Sequence, residues 1–214
     1  MRLRAMAVGL PEVPEHPNRV AFEGVLTLVD EPSTRAPAGA RGHRVVLTRA
    51  AALGALPSLL GMGVDFTPAW DGHDARRKCG VITEADIVGS QLKVSGYLFA
   101  KDFPEVMRQL RRSGPGEMGM SYELANAHVE DMNAAVWTLT RATFTGAAIL
   151  LREKAAYSNT HFALAPKRCR TLAAASALRC EEKPPEHRMR SSEPLRRDFV
   201  LQPGKETRWK SMTY

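Results

Sequence analysis

The sequence has 214 residues, 44% of them hydrophobic and 25% charged, with a formal net charge of +7. This length suits one domain with a substantial core plus an appendage, and it is too short for two large domains. No window holds the roughly 18 uninterrupted apolar residues of a membrane span, and Pro11, Glu12 and Pro14 interrupt the first apolar run. We therefore expect a soluble protein that is not exported and does not contact a membrane.

The first predicted elements are two strands and a helix. One strand is predicted over residues 19–31, RVAFEGVLTLVDE, and a second over residues 44–48, RVVLT. Thr48 can then cap a helix over RAAALGAL, because its hydroxyl can accept a hydrogen bond from a free N–H of the first turn. Pro57 and Gly61 limit the length of that helix.

A hairpin and a second helix follow. Residues 81–87 and 92–99 alternate apolar and polar side chains around a short turn that contains Gly89, which predicts a β-hairpin. Asp102 is predicted as the N-cap of a helix over FPEVMRQLRRS, with Pro104 in its first turn. The basic residues toward the end of this helix are expected to face solvent; they are Arg108, Arg111 and Arg112.

Two long strands complete the predicted fold. MGMSYELANAHVEDM forms the first, the chain turns near Asn133, and AAVWTLTRATFTGAAILLRE forms the second. The element order is then β, β, α, β, β, α, β, β, with antiparallel hairpins dominating. This order predicts an α+β fold whose sheet curls into a barrel.

The C-terminal segment differs in composition from the rest of the chain. Residues 166–214 hold 12 basic and 6 acidic side chains, so they carry +6 of the net charge of +7. They are also rich in proline and contain one weakly helical stretch, TLAAASALR. We predict an N-terminal arm at residues 1–18, a folded domain at residues 19–165, and a disordered or weakly helical basic tail at residues 166–214.

The three cysteines, Cys79, Cys169 and Cys180, form no CxxC pair. They fit free thiols in a reducing compartment better than disulfides or a zinc knuckle. Although Cys79 is close to His73 in sequence, nothing indicates an activated thiolate, so we expect a buried structural thiol. The sequence has no metal motif and no phosphate-binding glycine loop, and we expect no cofactor.

Ser121 stands at the start of a predicted strand in GPGEMGMSYEL. A serine hydroxyl becomes a nucleophile only with a base within hydrogen-bond reach, usually a histidine that a third group orients. His73 in DGHDARRK could be this base, and Gly119 would let the backbone pass close to a substrate. From these residues alone, a nucleophile and an ordinary turn hydroxyl both remain open for Ser121.

The order GHD, KCGVI, LKVSGYLF, DFPEVMRQL, GEMGMSYEL, TRATFTGAAIL resembles the prohead, or capsid maturation, proteases of tailed bacteriophages. The resemblance covers about residues 20–160 and excludes the tail. It implies a fold similar to that of the herpesvirus assemblin proteases, a mostly antiparallel β-barrel surrounded by a few helices. It also implies a serine peptidase in which Ser121 is the nucleophile and His73 is the general base.

The third catalytic member is where this sequence departs from the family pattern. The returning strand of the phage proteases tends to supply an acidic residue, and the herpesvirus relatives supply a second histidine, whereas ATFTGAAIL offers Thr145. A threonine hydroxyl can orient an imidazole but brings no charge to stabilise an imidazolium. We place Thr145 slightly ahead of Asp131. Glu123, which shares strand parity with Ser121, and His128, which does not, are further candidates.

Two neighbouring features have simpler interpretations. The oxyanion hole could use Arg141 or the backbone N–H groups of residues 114–119, although a solvated strand residue is the simpler interpretation of Arg141. Asp74 is expected to cap its loop or to pair with Arg76 or Arg77.

The resemblance also implies a biological setting. It predicts an endopeptidase of a phage or prophage that cleaves scaffold and major capsid precursor, and its own chain, inside the assembling prohead in the host cytoplasm. Self-association and nonspecific contact of the basic tail with nucleic acid belong to the same expectation. Two alternatives stay open: an inactive structural or capsid-assembly protein of the same fold, which Thr145 motivates, and a nucleic-acid-binding protein, although the tail lacks interleaved aromatics.

Overall fold

Eight strands of one mixed sheet dominate residues 16–165, the part of the chain that this computed structural model describes. They are β1 (Arg19–Leu28), β2 (Arg44–Leu47), β3 (Gly63–Asp65), β4 (Lys78–Val88), β5 (Gln91–Phe99), β6 (Met118–Val129), β7 (Val136–Leu151) and β8 (His161–Leu164). The two α-helices are α1 (Arg49–Ala55) and α2 (Pro104–Arg112). Nearly all of the predicted arm and the whole of the predicted tail lie outside the described residues.

The strand β7 organises the sheet. The strands follow the order β2, β7, β3, β4, β5, β1, β8, and β6 pairs with β7 as well. Since antiparallel β6 occupies one edge of β7, the parallel strands β2 and β3 share the other edge. The pairing is mostly antiparallel, as predicted. The hydrogen bonding among the described strands does not close the sheet, so the predicted barrel is not confirmed.

A close approach brings β6 onto β1 without hydrogen-bonded pairing. A Cβ atom on Gly24 of β1 would lie 2.6 Å from Sδ of Met120 and 2.8 Å from the carbonyl oxygen of His161. These separations are shorter than van der Waals contact, so a residue without a side chain is needed at this point.

The predicted first helix and hairpin are confirmed. The Thr48 hydroxyl oxygen accepts a hydrogen bond from the backbone N–H of Ala51 at 3.2 Å, as an N-cap of α1 should. Gly89 has a φ of +62° between β4 and β5, a conformation that glycine adopts without steric cost. The local rules of capping and turn formation therefore hold in these two elements.

The second helix begins differently from the prediction. Phe103 is the N-cap residue of α2 and makes no side-chain capping hydrogen bond, so Asp102 as the N-cap is wrong. The Asp102 carboxylate instead accepts a hydrogen bond from Nδ2 of Asn18 at 2.6 Å. Val106 and Met107 are buried in the main hydrophobic cluster, at about 1.5–3 kcal/mol for each fully buried side chain. The basic side chains are exposed as predicted; they are Arg108, Arg111 and Arg112.

The strands β3 and β8 were not predicted. They contain only 3 and 4 residues, too few for a clear period-2 pattern. The strand β3 is defined by its pairing with β4 on one side and with β7 on the other. It therefore depends on hydrogen bonds to other strands and not on a pattern within its own residues. Its last residue is Asp65. None of the helices within residues 16–165 is long and apolar enough to cross a membrane.

Candidate active site

His73 and Ser121 lie side by side although they are 48 residues apart in the sequence. Nε2 of His73 is 3.1 Å from Oγ of Ser121, which is hydrogen-bond distance. His73 belongs to the loop between β3 and β4, and its side chain is 15% exposed. Ser121 lies near the start of β6 and is partly buried. This is the separation that a serine nucleophile and its general base require.

Asp65 lies on the other side of the imidazole ring. Its Oδ1 atom is 3.3 Å from Nδ1 of His73, and its side chain is only 1% exposed. Nδ1 is buried and makes no well-aligned hydrogen bond within residues 16–165. Its distance to Oδ1 is within the range of an ion pair, but the N–H bond does not point at the oxygen atom. Catalytic hydrogen bonds are often poorly aligned before substrate binds.

Two further groups hold the Asp65 carboxylate. Nζ of Lys78 donates to Oδ2 at 2.6 Å, and the backbone N–H of Asp74 donates to Oδ1 over 3.4 Å. Burial raises the pKa of Asp65, but the close contacts of its carboxylate with His73 and Lys78 outweigh burial and lower this pKa below its ordinary value of 3.8. Asp65 is therefore a carboxylate at neutral pH.

The sheet itself sets the spacing of the site. Asp65 of β3 and Ser121 of β6 both pair with Ala148 of β7, one from each edge. Residues that are directly opposite on neighbouring strands point to the same face of a sheet. Ser121, Ala148 and Asp65 therefore form one row, and the imidazole of His73 contacts the side chains at its two ends.

The two residues predicted as the third member lie elsewhere. Thr145 is exposed on β7 and lines the same cavity as Ser121, but it forms no hydrogen bond with His73 in the described part of the chain. Asp131 is exposed in the turn after β6, where its Oδ1 accepts a hydrogen bond from the backbone N–H of Asn133 at 2.8 Å. The position beside Nδ1 that was predicted for Thr145 or Asp131 is taken by Asp65.

The remaining candidates stand apart from the imidazole. His128 pairs in register with Arg141, and its Nδ1 is 2.8 Å from Oγ1 of Thr140 on an exposed part of the hairpin. Arg141 is exposed and does not line the cavity beside the serine, in agreement with a solvated strand residue. Glu123 lines that cavity and packs against Gly146.

Gly119 has a different role from the one expected. A Cβ atom at this position would lie 2.9 Å from Oγ1 of Thr160 and 3.0 Å from Cα of Arg152. The space above Gly119 is therefore filled by the protein's own chain, and no substrate passes there. The use of backbone N–H groups from residues 114–119 as an oxyanion hole stays a prediction.

The structure agrees with the simpler interpretations of Asp74 and Cys79. Oδ1 of Asp74 accepts a hydrogen bond from the backbone N–H of Arg76 at 3.0 Å, and Oδ2 pairs with Arg77 at 3.3 Å. Cys79 is fully buried and donates to the carbonyl of Val64. Burial raises the pKa of the Cys79 thiol to about 12, so it is not a thiolate nucleophile at neutral pH.

A cavity of about 1030 Å³ adjoins the site, and both Ser121 and His73 line it. Its other walls come from β6, from residues 35–41 and from the segment after β7. Apolar side chains contribute much of this lining; among them are Leu26, Met120, Leu150 and Tyr157. A cavity of this size can hold several residues of a peptide.

Sequence reasoning missed Asp65. The residue stands in MGVDFTPAW between Val64 and Phe66, shortly before His73. A single carboxylate between apolar residues was the available signal, because a charged side chain is seldom buried unless another group pairs with it.

No protein-family model and no curated protein matches this chain. Among solved structures, the chain is similar to the KSHV protease in complex with a hexapeptide phosphonate inhibitor. This similarity has a TM-score of 0.39 and 12% identity, and it spans 61% of this chain and 59% of the viral protease. At that level the similarity carries no argument about function.

Proposed function

We propose that the protein is a serine peptidase in which Ser121 is the nucleophile, His73 the general base and Asp65 the orienting carboxylate. One observation carries this proposal: a continuous series of contacts runs from Oγ of Ser121 through the imidazole to the carboxylate, over 3.1 Å and 3.3 Å. Such an arrangement recurs on unrelated folds, so geometry and roles identify it better than sequence position does.

The first half of the reaction forms an acyl-enzyme. Oγ of Ser121 attacks the carbonyl carbon of the scissile peptide bond while Nε2 of His73 takes the hydroxyl proton. Asp65 keeps Nδ1 protonated and stabilises the positive imidazolium that forms. The tetrahedral intermediate then collapses, the imidazolium gives its proton to the leaving amine, and the ester on Ser121 remains.

The second half regenerates the enzyme. A water molecule attacks the ester carbonyl while Nε2 of His73 takes one of its protons. Collapse of this intermediate releases the carboxylic acid product and returns the proton to Oγ of Ser121. The burial of Asp65 and its lowered pKa support this cycle, because an ionised carboxylate stays beside the imidazole at neutral pH.

The inactive alternative was motivated by the absence of an acidic residue at Thr145. Asp65 supplies a carboxylate from a different strand, so that motive no longer applies. We therefore favour the active peptidase over a structural protein of the same fold.

The biological role is proposed from the sequence resemblance to prohead proteases. The substrates would be scaffold, major capsid precursor and the protein's own chain, cleaved in the assembling prohead within the host cytoplasm. Self-association of the peptidase and salt-sensitive contact of residues 166–214 with acidic scaffold or nucleic acid belong to the same proposal. The order of His73, the hairpin, α2 and Ser121 supports it.

A fluorophosphonate probe tests the chemistry directly. We expect the parent protein to be labelled on one serine, Ser121→Ala to remain unlabelled, and His73→Ala to react at least about 100-fold more slowly, since general-base catalysis contributes 10²–10⁴-fold. Mass spectrometry should locate the adduct on Ser121, and self-cleavage on a gel should disappear in both variants.

Ser95→Ala is the matched control. Its Oγ donates to Glu84 at 3.0 Å, so Ser95 is a strand serine with a carboxylate neighbour and no imidazole beside it. We expect labelling of this variant at the parent rate. Equal labelling of the Ser121→Ala variant would contradict the proposal.

A further inference from the structure

The contact between Lys78 and Asp65 is the shortest ionic contact of the site. Nζ of Lys78 is 2.6 Å from Oδ2 of Asp65, whereas Oδ1 faces His73 at 3.3 Å. Each carboxylate oxygen therefore has its own cationic or proton-donating partner. The Lys78 side chain is 37% exposed and comes from β4, a strand that does not otherwise take part in the proposed chemistry.

The fold directs the Lys78 side chain toward Asp65. The two residues are opposite each other in the pairing of β3 with β4, so their side chains share one face of the sheet. The aliphatic part of Lys78 runs over Gly63, where a Cβ atom would lie 2.9 Å from Cδ and 3.2 Å from Cγ of the lysine. Gly63 leaves the space in which the lysine stem lies.

We propose that Lys78 is the positioning residue of this site: it holds Oδ2 of Asp65 so that Oδ1 faces His73. This inference rests on the proposed function, because positioning matters only if His73 acts as a base. The ion pair on Oδ2 limits rotation of the carboxylate, so Oδ1 stays directed at the imidazole.

Lys78 is the cation that touches the carboxylate next to the ring. Within residues 16–165 no other lysine or arginine pairs with Asp65, because Arg76 and Arg77 of the His73 loop are paired with Asp74. Removal of Lys78 should therefore release Oδ2 of Asp65 directly.

The test is the rate of fluorophosphonate labelling of Ser121 in the full chain, measured by mass spectrometry of the adduct. We expect Lys78→Met to lower this rate about 10-fold or more, because a small misplacement of a catalytic group can cost up to about 100-fold. Lys78→Arg, which keeps the charge, should recover most of the parent rate.

Gly63→Ala provides a second route to the same result. The added methyl group should push the lysine stem away from Asp65, so the labelling rate should fall by a smaller factor than in Lys78→Met. Lys93→Met is the matched control, because Lys93 is an exposed strand lysine whose partner in the pairing of β4 with β5 is Asp86. Its removal should leave the labelling rate unchanged.

The outcomes separate the two proposals. A labelling rate that stays constant in Lys78→Met, while the parent is labelled on Ser121, overturns the positioning role. If Lys78→Met lowers the rate as much in an Asp65→Asn background as in the parent, the lysine does not act through Asp65 and the positioning role is likewise overturned. Absence of labelling in the parent would overturn the proposed function and, with it, this inference.

Discussion

Ser121 and Asp65 stand opposite the same residue of β7, Ala148, and approach it from opposite edges. Neighbouring strands are about 4.8 Å apart, so the two backbones are separated by roughly 10 Å across β7. One imidazole ring fills that distance, with Oγ of Ser121 at 3.1 Å from Nε2 and Oδ1 of Asp65 at 3.3 Å from Nδ1. The central strand therefore acts as the spacer that makes room for His73 between its two partners.

The side chain at position 148 should control whether this bridge can form. Ala148 is fully buried between Ser121 and Asp65. We expect Ala148→Leu to displace the imidazole, because the larger side chain occupies the face that the ring crosses, and to lower the rate of fluorophosphonate labelling about 100-fold or more. Circular dichroism should show that the sheet is retained.

Ala148→Gly is the control for this prediction. It removes a methyl group and blocks nothing, so labelling should stay within about threefold of the parent, the change that a shift of about 0.7 kcal/mol in the barrier produces. Equal rates in the leucine and glycine variants would show that the ring does not cross Ala148.

Asp65→Asn should reduce the activity strongly while leaving Ser121 and His73 in place. The amide cannot stabilise the imidazolium and favours the wrong tautomer, and the corresponding change in a serine protease triad lowers kcat by about 10⁴. We expect a loss of roughly 10³-fold or more in the labelling rate at pH 7. Rates are measured by mass spectrometry of the adduct.

Thr145→Val and Asp131→Asn are the matched controls, because both residues were candidates for the third member and neither contacts His73 within residues 16–165. Both variants should label at close to the parent rate. A large loss in either one, with Asp65→Asn unaffected, would reverse the assignment.

The ionised Asp65 should make stability depend on pH. Its pKa in the folded protein lies below the ordinary value of 3.8, so protonating it costs more in the folded than in the unfolded chain. This contribution is fully present well above pH 3.8 and is lost as the pH falls through the lower folded value. The difference in free energy of unfolding between the Ser121→Ala protein and its Asp65→Asn variant should therefore shrink on acidification below about pH 4.

Urea unfolding at a series of pH values measures this difference. Its numerical size at pH 7 is not the test; its direction of change is. A difference that is constant or grows between pH 5 and about pH 3 would contradict a lowered pKa for Asp65.

Gly24→Ala should destabilise the fold. The added Cβ atom would meet Sδ of Met120 at 2.6 Å and the His161 carbonyl oxygen at 2.8 Å. Overpacking of this kind costs about 1–3 kcal/mol, which urea unfolding can measure. Gly54→Ala in α1 is the control: a Cβ atom there meets nothing within 4 Å, so the protein should gain about 0.5–1 kcal/mol. Equal effects of the two changes would argue against the close approach of β6 to β1.

Elements with a strong local signal were predictable from the sequence. Thr48 caps α1, Gly89 lies in the turn between β4 and β5, and the long strands containing Ser121 and Trp137 occur where the β-branched and aromatic residues predict them. These features depend on neighbours within a few positions, so composition and spacing report them directly. Asp102 shows the limit of such rules, because Asn18, distant in sequence, takes the carboxylate that was expected to cap α2.

The residues of the candidate site also fall into two groups: those that the local sequence indicated and one that it did not. The local sequence placed Ser121 at the start of a strand and His73 in a polar loop, and it favoured a structural thiol for Cys79. It did not reveal Asp65 as the carboxylate beside His73. Thr145 and Asp131 were chosen from the returning hairpin because that segment is near Ser121 along the chain.

By itself, the sequence determined which of the longer segments form strands, helices and turns, since those preferences act through backbone hydrogen bonds and side-chain periodicity over short distances. Only the tertiary structure decided that the three-residue strand ending in Asp65 lies beside β7, and that His73 spans from there to Ser121. The physical reason is that β3 owes its existence to hydrogen bonds with β4 and with β7, which is far away in sequence. A buried carboxylate becomes favourable there only because the fold brings His73 and Lys78 to its two oxygens.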